Sequence, residues 1–185
     1  MKKSLIISFL SLFIFFSCNK KDISAANTQS IVEEYLESNP PYETGWIQTE
    51  NLKLSTKKDQ SQVQIIKDLA KEGYINIEEE NVKKRFLSKD SIWQFSLSIT
   101  EKSLPYVVNQ KSNKTEVKTI EYQLNKDKEI VFIKKNEKSI VCTAVLQKVK
   151  TPFYTFGKDK TSKSNFITRK FKLKYNAENG WQVVD

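Results

Sequence analysis

The residue types that usually do chemistry are scarce in this chain, and histidine is missing altogether. The 185 residues include no histidine, two cysteines and 22 carboxylate side chains. Histidine is the usual general base near neutral pH and the commonest transition-metal ligand, so Ser-His-Asp and Cys-His catalysis are excluded. Carboxylate-only mechanisms survive, such as glycoside hydrolysis by paired acids, but the spacing of Asp and Glu singles out no pair. The sequence therefore predicts no catalytic residue, no cofactor and no metal site.

The two cysteines lie in very different surroundings. Cys142 belongs to the apolar run 140–146, where a thiol acts as a small core residue. The alternative role, a nucleophile, has no histidine to activate it. Cys18 instead ends an N-terminal segment that begins with Lys2 and Lys3, continues with the apolar stretch 5–16 and reaches the small residue Ser17. This pattern is typical of a secretory signal, and the apolar stretch is shorter than the roughly 20 residues that span a bilayer.

The residues at the end of this segment, Phe15-Phe16-Ser17-Cys18, resemble the lipobox of bacterial lipoproteins. Phe replaces the usual aliphatic residue, as is common in lipoproteins of the Bacteroidetes. The resemblance implies cleavage between Ser17 and Cys18, and fatty acyl chains such as palmitate on Cys18. The alternative is an ordinary signal peptide with an incidental cysteine. Residues 19–22 lack the acidic run that accompanies surface export in that group, so we expect a periplasm-facing protein.

The charge of the chain is strongly basic and comes almost entirely from lysine. The formal net charge is +9, and the only arginines are Arg85 and Arg169. A positive protein is attracted to lipid headgroups, lipopolysaccharide, acidic glycans or nucleic acid, although lysines can also serve solubility alone. Lysine lacks the planar fork with which arginine reads phosphates and bases. We therefore expect no nucleic-acid partner.

A ladder of lysines is the clearest candidate for binding. Lys170, Lys172 and Lys174 alternate with apolar residues, so a strand would place all three ammonium groups on one face, next to the lysine-rich loop 158–165. The ladder could contact an anionic ligand. The alternatives are an exposed sheet face, or an edge strand protected by lysine against aggregation.

The elements that must position these residues follow from periodicity. Thr28 is the expected N-cap of a helix to about residue 38, and a second helix, capped by Asp59 or Ser61, ends at Gly73. Single strands are expected near 45–54, at 74–77 and at 93–100, and the segment 78–90 is ambiguous. The rest is β-rich, with strands at 117–124, 130–133, 140–149, 167–175 and 181–184 joined by polar turns. Hairpin-linked strands favour an antiparallel meander.

One internal segment has a further resemblance. The stretches 69–75, around Gly73, and 99–106, ending at Tyr106, resemble the turn and the post-wing sequence of winged-helix domains within 59–108. The resemblance implies a winged-helix-like portion, and DNA binding for a typical member. The helix, however, uses Val63, Ile66 and Leu69 for packing rather than presenting a recognition surface.

Three smaller patterns each allow a functional interpretation. The residues Trp46, Phe153, Tyr154 and Phe156 flank loops, where aromatic rings can line a ligand site, although core packing is the simpler explanation. The acidic run 78–80 is expected to be solvated, because a calcium site needs six to eight converging oxygens. The tripeptide Asp90-Ser91-Ile92 resembles a Bacteroidetes O-glycosylation site, which implies a modified Ser91.

Taken together, the sequence predicts an α+β protein with N-terminal helices packed on a mostly antiparallel sheet. The expected organisation is a signal peptide at 1–17, a lipidated Cys18 with a tether at 18–27, and a single domain at 28–185. That domain divides into a helix-rich part at 28–108 and a β-rich part at 115–185. The expected function is non-enzymatic binding or a structural role in the cell envelope, with an anionic component or another envelope protein as partner. The alternatives are a carboxylate-dependent glycan-acting enzyme and a winged-helix nucleic-acid-binding protein.

Overall fold

The computed structural model describes residues 22–84 and 90–184, without the side chain of Glu79. It contains two α-helices and ten strands, with short 3-10 helices at Glu101–Tyr106 and Tyr154–Phe156. In chain order the elements are α1 (Ala25–Ser38), β1 (Tyr42–Gln48), β2 (Leu52–Ser55), α2 (Gln60–Lys71), β3 (Ile75–Lys84), β4 (Ser91–Ile99), β5 (Val107–Lys111), β6 (Lys114–Leu124), β7 (Val131–Asn136), β8 (Ser139–Lys150), β9 (Phe166–Asn176) and β10 (Gly180–Val184). The α+β composition and the antiparallel pairing are confirmed.

The first helix begins earlier than predicted. Ser24 is its N-cap and accepts a hydrogen bond from the Asn27 N–H at 3.1 Å. Thr28 lies inside the helix, is fully buried and donates its hydroxyl to the Ser24 carbonyl at 2.8 Å. Thr28 is therefore not the cap, and the segment expected to be a tether, 18–27, already enters the helix at Ala25. Both residues are of capping type, and burial of the Thr28 side chain decides between them.

The second helix matches its predicted ends. α2 begins after Asp59, whose carboxylate accepts the Ser55 N–H at 2.8 Å instead of capping the helix itself. Ile66 and Leu69 are buried on its inner face. Gly73 follows the helix with φ +78°, the left-handed conformation that glycine adopts without a steric penalty.

The larger sheet has seven strands and is organised around β6 and β8. β6 pairs with β1 on one edge, while its other edge pairs first with β5 and then, over Ile120–Leu124, with β8. β7, β8, β9 and β10 form an antiparallel meander. The meander was predicted. The sharing of one edge of β8 by β6 and β7 was not, because periodicity carries no information on how strands pair.

The smaller sheet corrects one predicted strand. We expected a single strand near 45–54, but the chain forms two strands that belong to different sheets. β1 joins the larger sheet, and β2 pairs with β4 in a three-stranded sheet of order β2-β4-β3. The reversal between them is at Asn51, which has φ +52°. Asparagine tolerates this left-handed conformation better than most residues.

The buried apolar residues form two cores. The α1 core combines α1 with the meander and β6, and contains Val32, Leu36, Ile120, Tyr122, Ile130, Ile140, Cys142, Ala144, Leu146, Phe171 and Leu173. The α2 core combines α2 with the smaller sheet and contains Ile47, Leu52, Leu54, Ile66, Leu69, Ile75, Trp93, Phe95, Leu97, Val117 and Phe153. These cores do not follow the expected division into 28–108 and 115–185, because α1 packs with the C-terminal strands and β6 contributes to both cores.

The segment 59–108 gives the winged-helix resemblance no support. In this segment α2, β3 and β4 follow one another, and α2 is the only α-helix among its described residues. The stretch after β4 forms a 3-10 helix that folds back on the end of α2, where the Thr100 hydroxyl donates to the carbonyl of Gly73 at 2.7 Å. The resembling residues therefore serve a local turn.

Candidate functional site

The lysine ladder lies on one face of β9. Lys170, Lys172 and Lys174 are exposed, and the residues between them, Phe171 and Leu173, are buried in the α1 core. This alternation is the period-two geometry of a strand. The structure thus places the three ammonium groups on the outer face of the meander formed by β7, β8, β9 and β10, which we call the basic face.

The position of β9 bears on why the lysines are there. β9 pairs with β8 along one edge and with β10 along the other, so Lys172 and Lys174 have hydrogen-bonded strands on both sides. Protection of a free edge against aggregation therefore does not account for them. A solvated face or a binding surface remains.

Neighbouring strands add apolar side chains to the basic face. Directly opposed residues of an antiparallel pair point to the same side. Val131 opposes Thr143, which opposes Lys170, and Ile133 opposes Val141, which opposes Lys172. The side chains of Val131 and Ile133 are 69% and 59% exposed. The basic face is thus an apolar and cationic surface.

The strands that form the basic face carry basic side chains and no acidic ones. The four segments that form β7, β8, β9 and β10 contain no aspartate or glutamate. Among residues 22–84 and 90–184, none of the three ladder lysines forms an ion pair. An anion that approached this face would meet positive charge that no carboxylate of these strands compensates.

The lysine-rich loop 158–165 is held by buried polar contacts that the sequence did not indicate. Lys148 on β8 and Asp159 form an ion pair at 2.6 Å with side chains only 4% and 10% exposed. Lys148 also donates to the Thr161 carbonyl at 2.8 Å, and the Lys160 N–H donates to Glu43 at 3.2 Å. The loop is therefore fixed against β1 and β8, beside the Phe166 end of β9.

Two titrating groups in this network are shifted. The Lys148 ammonium, with help from the Thr161 N–H and the Tyr154 hydroxyl, holds the pKa of Asp159 below its usual value. Burial raises the pKa of the Tyr122 phenol, and its 2.6 Å hydrogen bond to Glu43 adds to the effect. No short-range pattern relates these residues, since Glu43 and Lys160 are 117 positions apart. The contacts of both carboxylates hold the loop in place.

Cys142 lies in the α1 core. Its side chain is 1% exposed, and burial raises the pKa of its thiol to about 11. A reactive cysteine has the opposite properties, exposure and a lowered pKa. The predicted packing role agrees with this environment.

The aromatic residues near loops do not form one surface. Phe153 is fully buried in the α2 core, where it contacts the rings of Tyr74 and Tyr106. Trp46 is 38% exposed on β1, and the ammonium groups of Lys111 and Lys114 lie 5.2 and 4.5 Å from its ring. The rings of Phe153 and Phe156 are 6.5 Å apart, so these two belong to the α2 core while Trp46 lies at the surface.

Ser91 begins β4 and is half-buried. The carboxylate of its neighbour Asp90 is buried, and it accepts hydrogen bonds from the Ser55 hydroxyl at 2.7 Å and from the Thr56 hydroxyl at 3.1 Å. The first of these bonds contributes most to lowering the pKa of Asp90. Asp90 thus organises the turn before α2, and modification of Ser91 stays a prediction.

An apolar groove of about 520 Å³ lies between the start of α1 and the β9–β10 turn. Ile23, Ile31, Tyr175 and Trp181 line it. The indole N–H of Trp181 has no hydrogen-bond partner within the described part of the chain. No local sequence pattern indicates this groove, because α1 and the β9–β10 hairpin are about 140 residues apart.

The residues of the predicted lipid anchor, Ser17 and Cys18, lie outside the described residues, as does Arg85. Among the helices of residues 22–84 and 90–184, none is long and apolar enough to cross a membrane. Across the same residues, no group of three or more His, Cys, Asp or Glu side chains is arranged to hold a metal ion. Comparison with protein families, with curated proteins and with solved structures finds no match to this chain.

Proposed function

We propose that this chain is a lipid-anchored, periplasm-facing protein of the cell envelope, and that it binds an anionic envelope component without catalysis. Acylated Cys18 is the anchor, after cleavage behind Ser17. The basic face is the binding surface. One observation carries the proposal: Lys170, Lys172 and Lys174 are exposed on one face of β9, in a meander whose four strands contain no acidic residue.

Physical arguments favour this use of the basic face. A lysine near an anionic surface contributes roughly 1 kcal/mol, so three adjacent lysines give a useful attraction without any cavity. Lysine is a compact point charge and binds phosphate or carboxylate without demanding one geometry. This suits a surface or a polymer better than a small molecule.

The packing of α1 indicates which face of the meander is available to a ligand. Val32 and Leu36 of α1 belong to the same core as Phe171 and Leu173 of β9, and the rings of Tyr35 and Phe171 are 6.1 Å apart. We infer that α1 covers the inner face of the meander, which leaves the outer face for a ligand.

The glycan-acting alternative would need two available carboxyl groups. The buried carboxylates Glu43 and Asp159 already accept hydrogen bonds from Tyr122, Lys148 and the loop backbone. No observation favours this alternative over the binding function.

The anchor is tested in cells. Globomycin, which blocks lipoprotein signal peptidase, should cause the precursor to accumulate, and Cys18→Ser, which removes the acyl acceptor, should abolish acylation and leave the precursor uncleaved. Mass spectrometry of the mature N-terminus should show an acylated cysteine. A soluble, unacylated wild-type protein would refute the anchor.

The binding surface is tested with immobilised heparin as a polyanionic probe. The triple variant Lys170→Gln, Lys172→Gln, Lys174→Gln should elute at clearly lower salt than the wild type. The matched control replaces Lys111, Lys114 and Lys118, which lie over the rings of Trp46 and Tyr42. Both variants lose three charges, so equal elution of the two would refute a role specific to the basic face.

A further inference from the structure

We propose that the anionic component is the bilayer that carries the anchor, and that the outer face of β7, β8 and β9 lies against its headgroups. The inference rests on the proposed lipid anchor and names the partner of the basic face. The mature protein would then be held at two places, by acyl chains at Cys18 and by this sheet face.

The chemistry of the face distinguishes a bilayer from a soluble polyanion. Val131 and Ile133, at 69% and 59% exposure, share cross-strand rows with Lys170 and Lys172. A lipid surface accepts both kinds of side chain, since apolar residues enter the boundary between headgroups and acyl chains while ammonium groups stay at the phosphates. A polyanion in water would contact the lysines alone and leave these two apolar side chains solvated.

The start of the described chain lies at the same strand. The Asp22 carboxylate is 3.5 Å from the ammonium group of Lys134 on β7. Lys134 directly follows Ile133 and opposes the buried Ile140, so it points to the inner side of the sheet at this border strand. Cys18 precedes Asp22 by four residues, which span at most about 14 Å. Acyl chains on Cys18 would therefore hold the membrane surface within about 14 Å of Asp22, which lies beside β7.

The sheet topology lets the anchor and the face act together. β7 pairs only with β8 among the described strands, so it forms the border of the basic face there. Because Asp22 lies next to β7, the chain between Cys18 and Asp22 has to pass only this border strand for the membrane to reach the outer face of the meander. A tether at the far end of the protein would impose no such orientation.

A second copy of the chain is the competing occupant, because a border strand can pair with another strand. Lys134 and Lys135 on β7 oppose such pairing by placing like charges together. The second-copy alternative predicts dependence on protein concentration, whereas bilayer docking predicts dependence on lipid charge.

The experiment uses the mature acylated protein in vesicles, with a fluorophore on Ile133→Cys or, as a matched control, on Leu104→Cys. Both residues are 59% exposed, and Leu104 lies on the 3-10 helix after β4. Cys142 is 1% exposed and should stay unlabelled in the folded protein. Quenching by lipids that carry a spin label in the acyl chain reports depth in the bilayer.

In vesicles rich in phosphatidylglycerol, we expect the probe at position 133 to be quenched several-fold more than the probe at position 104. The difference should vanish in phosphatidylcholine or at high salt. The Lys170, Lys172 and Lys174→Gln variant should weaken docking by roughly 100-fold, the product of three lysine contributions. The Lys111, Lys114 and Lys118→Gln control should leave the quenching difference in place.

Equal quenching at positions 133 and 104, in protein shown to be acylated, would overturn the docking inference and leave the anchor intact. Protection of position 133 that rises with protein-to-lipid ratio and ignores lipid charge would overturn it in favour of a second copy. A mature chain without acyl groups at Cys18 would overturn both the proposed anchor and the inference.

Discussion

Lysines in the two halves of this protein, one built around the α1 core and one around the α2 core, have different surroundings. Around the α2 core several lie over aromatic rings, as Lys102 does at 4.2 Å from Tyr74 and Lys67 at 5.3 Å from Trp93. On β9 of the α1 half, Lys170, Lys172 and Lys174 have neither a ring contact nor an ion pair among the described residues. The same residue type therefore covers aromatic surface around the α2 core and leaves its charge available on β9. Net charge alone does not locate a binding surface.

The two cores differ in how their aromatic rings are arranged. In the α2 core Trp93 is stacked on Phe95 at 3.8 Å, and Phe153 lies between the rings of Tyr74 and Tyr106. The α1 core contains Cys142, and the rings of Tyr35 and Phe171 meet edge to face at 6.1 Å. β6 joins them, because Val117 belongs to one core and Ile120 to the other. This shared strand leads us to expect that the two halves unfold together.

The largest effect is expected from emptying either core. Phe153→Ala and Leu173→Ala each remove a side chain that is 0% exposed, and such changes cost about 3–5 and 2–5 kcal/mol of the free energy of unfolding. Urea unfolding followed by circular dichroism measures the loss. Hydrogen exchange should show that each variant loses protection in both α2 and β9. Loss confined to the mutated half would mean that the cores are independent.

A smaller effect is expected where β1 closely approaches the 3-10 helix at Tyr154–Phe156. A Cβ on Gly45 of β1 would lie 2.2 Å from the Phe156 carbonyl oxygen and 2.8 Å from the Gly157 nitrogen, both backbone atoms. Gly45→Ala should therefore cost about 1–3 kcal/mol by overpacking. Thermal unfolding measures it, with Gln48→Ala on the exposed face of β1 as a control. Equal stability of the two variants would contradict the close contact.

The Lys148–Asp159 pair near this junction gives a pH-dependent prediction. Because the pKa of Asp159 is lowered in the folded protein, its stabilisation is complete above the ordinary value of 3.8 and is lost as pH falls through the lowered value. Asp159→Asn should thus be clearly less stable than the wild type at pH 6, and the difference should shrink below pH 4. Unfolding midpoints across this range measure it. A difference independent of pH would contradict the ion pair, and Asp127→Asn in an exposed turn is the control.

The smallest effect on stability is expected at the basic face. Replacing Lys170, Lys172 and Lys174 by glutamine removes no described contact, so the free energy of unfolding should change by no more than about 0.5 kcal/mol per site. Removing like charges from one face should, if anything, be stabilising. Urea unfolding measures it. A large loss of stability would show that the lysines serve the fold.

Much of the chain could be predicted because its local patterns and its fold agree. Several predictions from local pattern were correct, since each depends on neighbours in sequence. They are the alternation at 93–100 and at 167–175, the helix ending at Gly73 and the buried Cys142. Predictions were wrong where two alternative local structures fitted the sequence equally well. Ser24 and Thr28 can both cap a helix, and residues 45–54 are extended in either of two sheets. The choice in each case depends on contacts with distant residues.

By itself, the sequence determined the absence of histidine chemistry, the charge and its lysine origin, the signal-like start with Cys18 and the face to which each residue of β9 points. These properties need only residue identity and the periods of helix and strand. Tertiary structure decided that β9 is an interior strand, that Val131 and Ile133 join its lysines, that Asp22 lies beside β7 and that Glu43 meets Lys160. Strand pairing brings together residues far apart in the chain, and it minimises the free energy of the whole molecule. No local pattern encodes it.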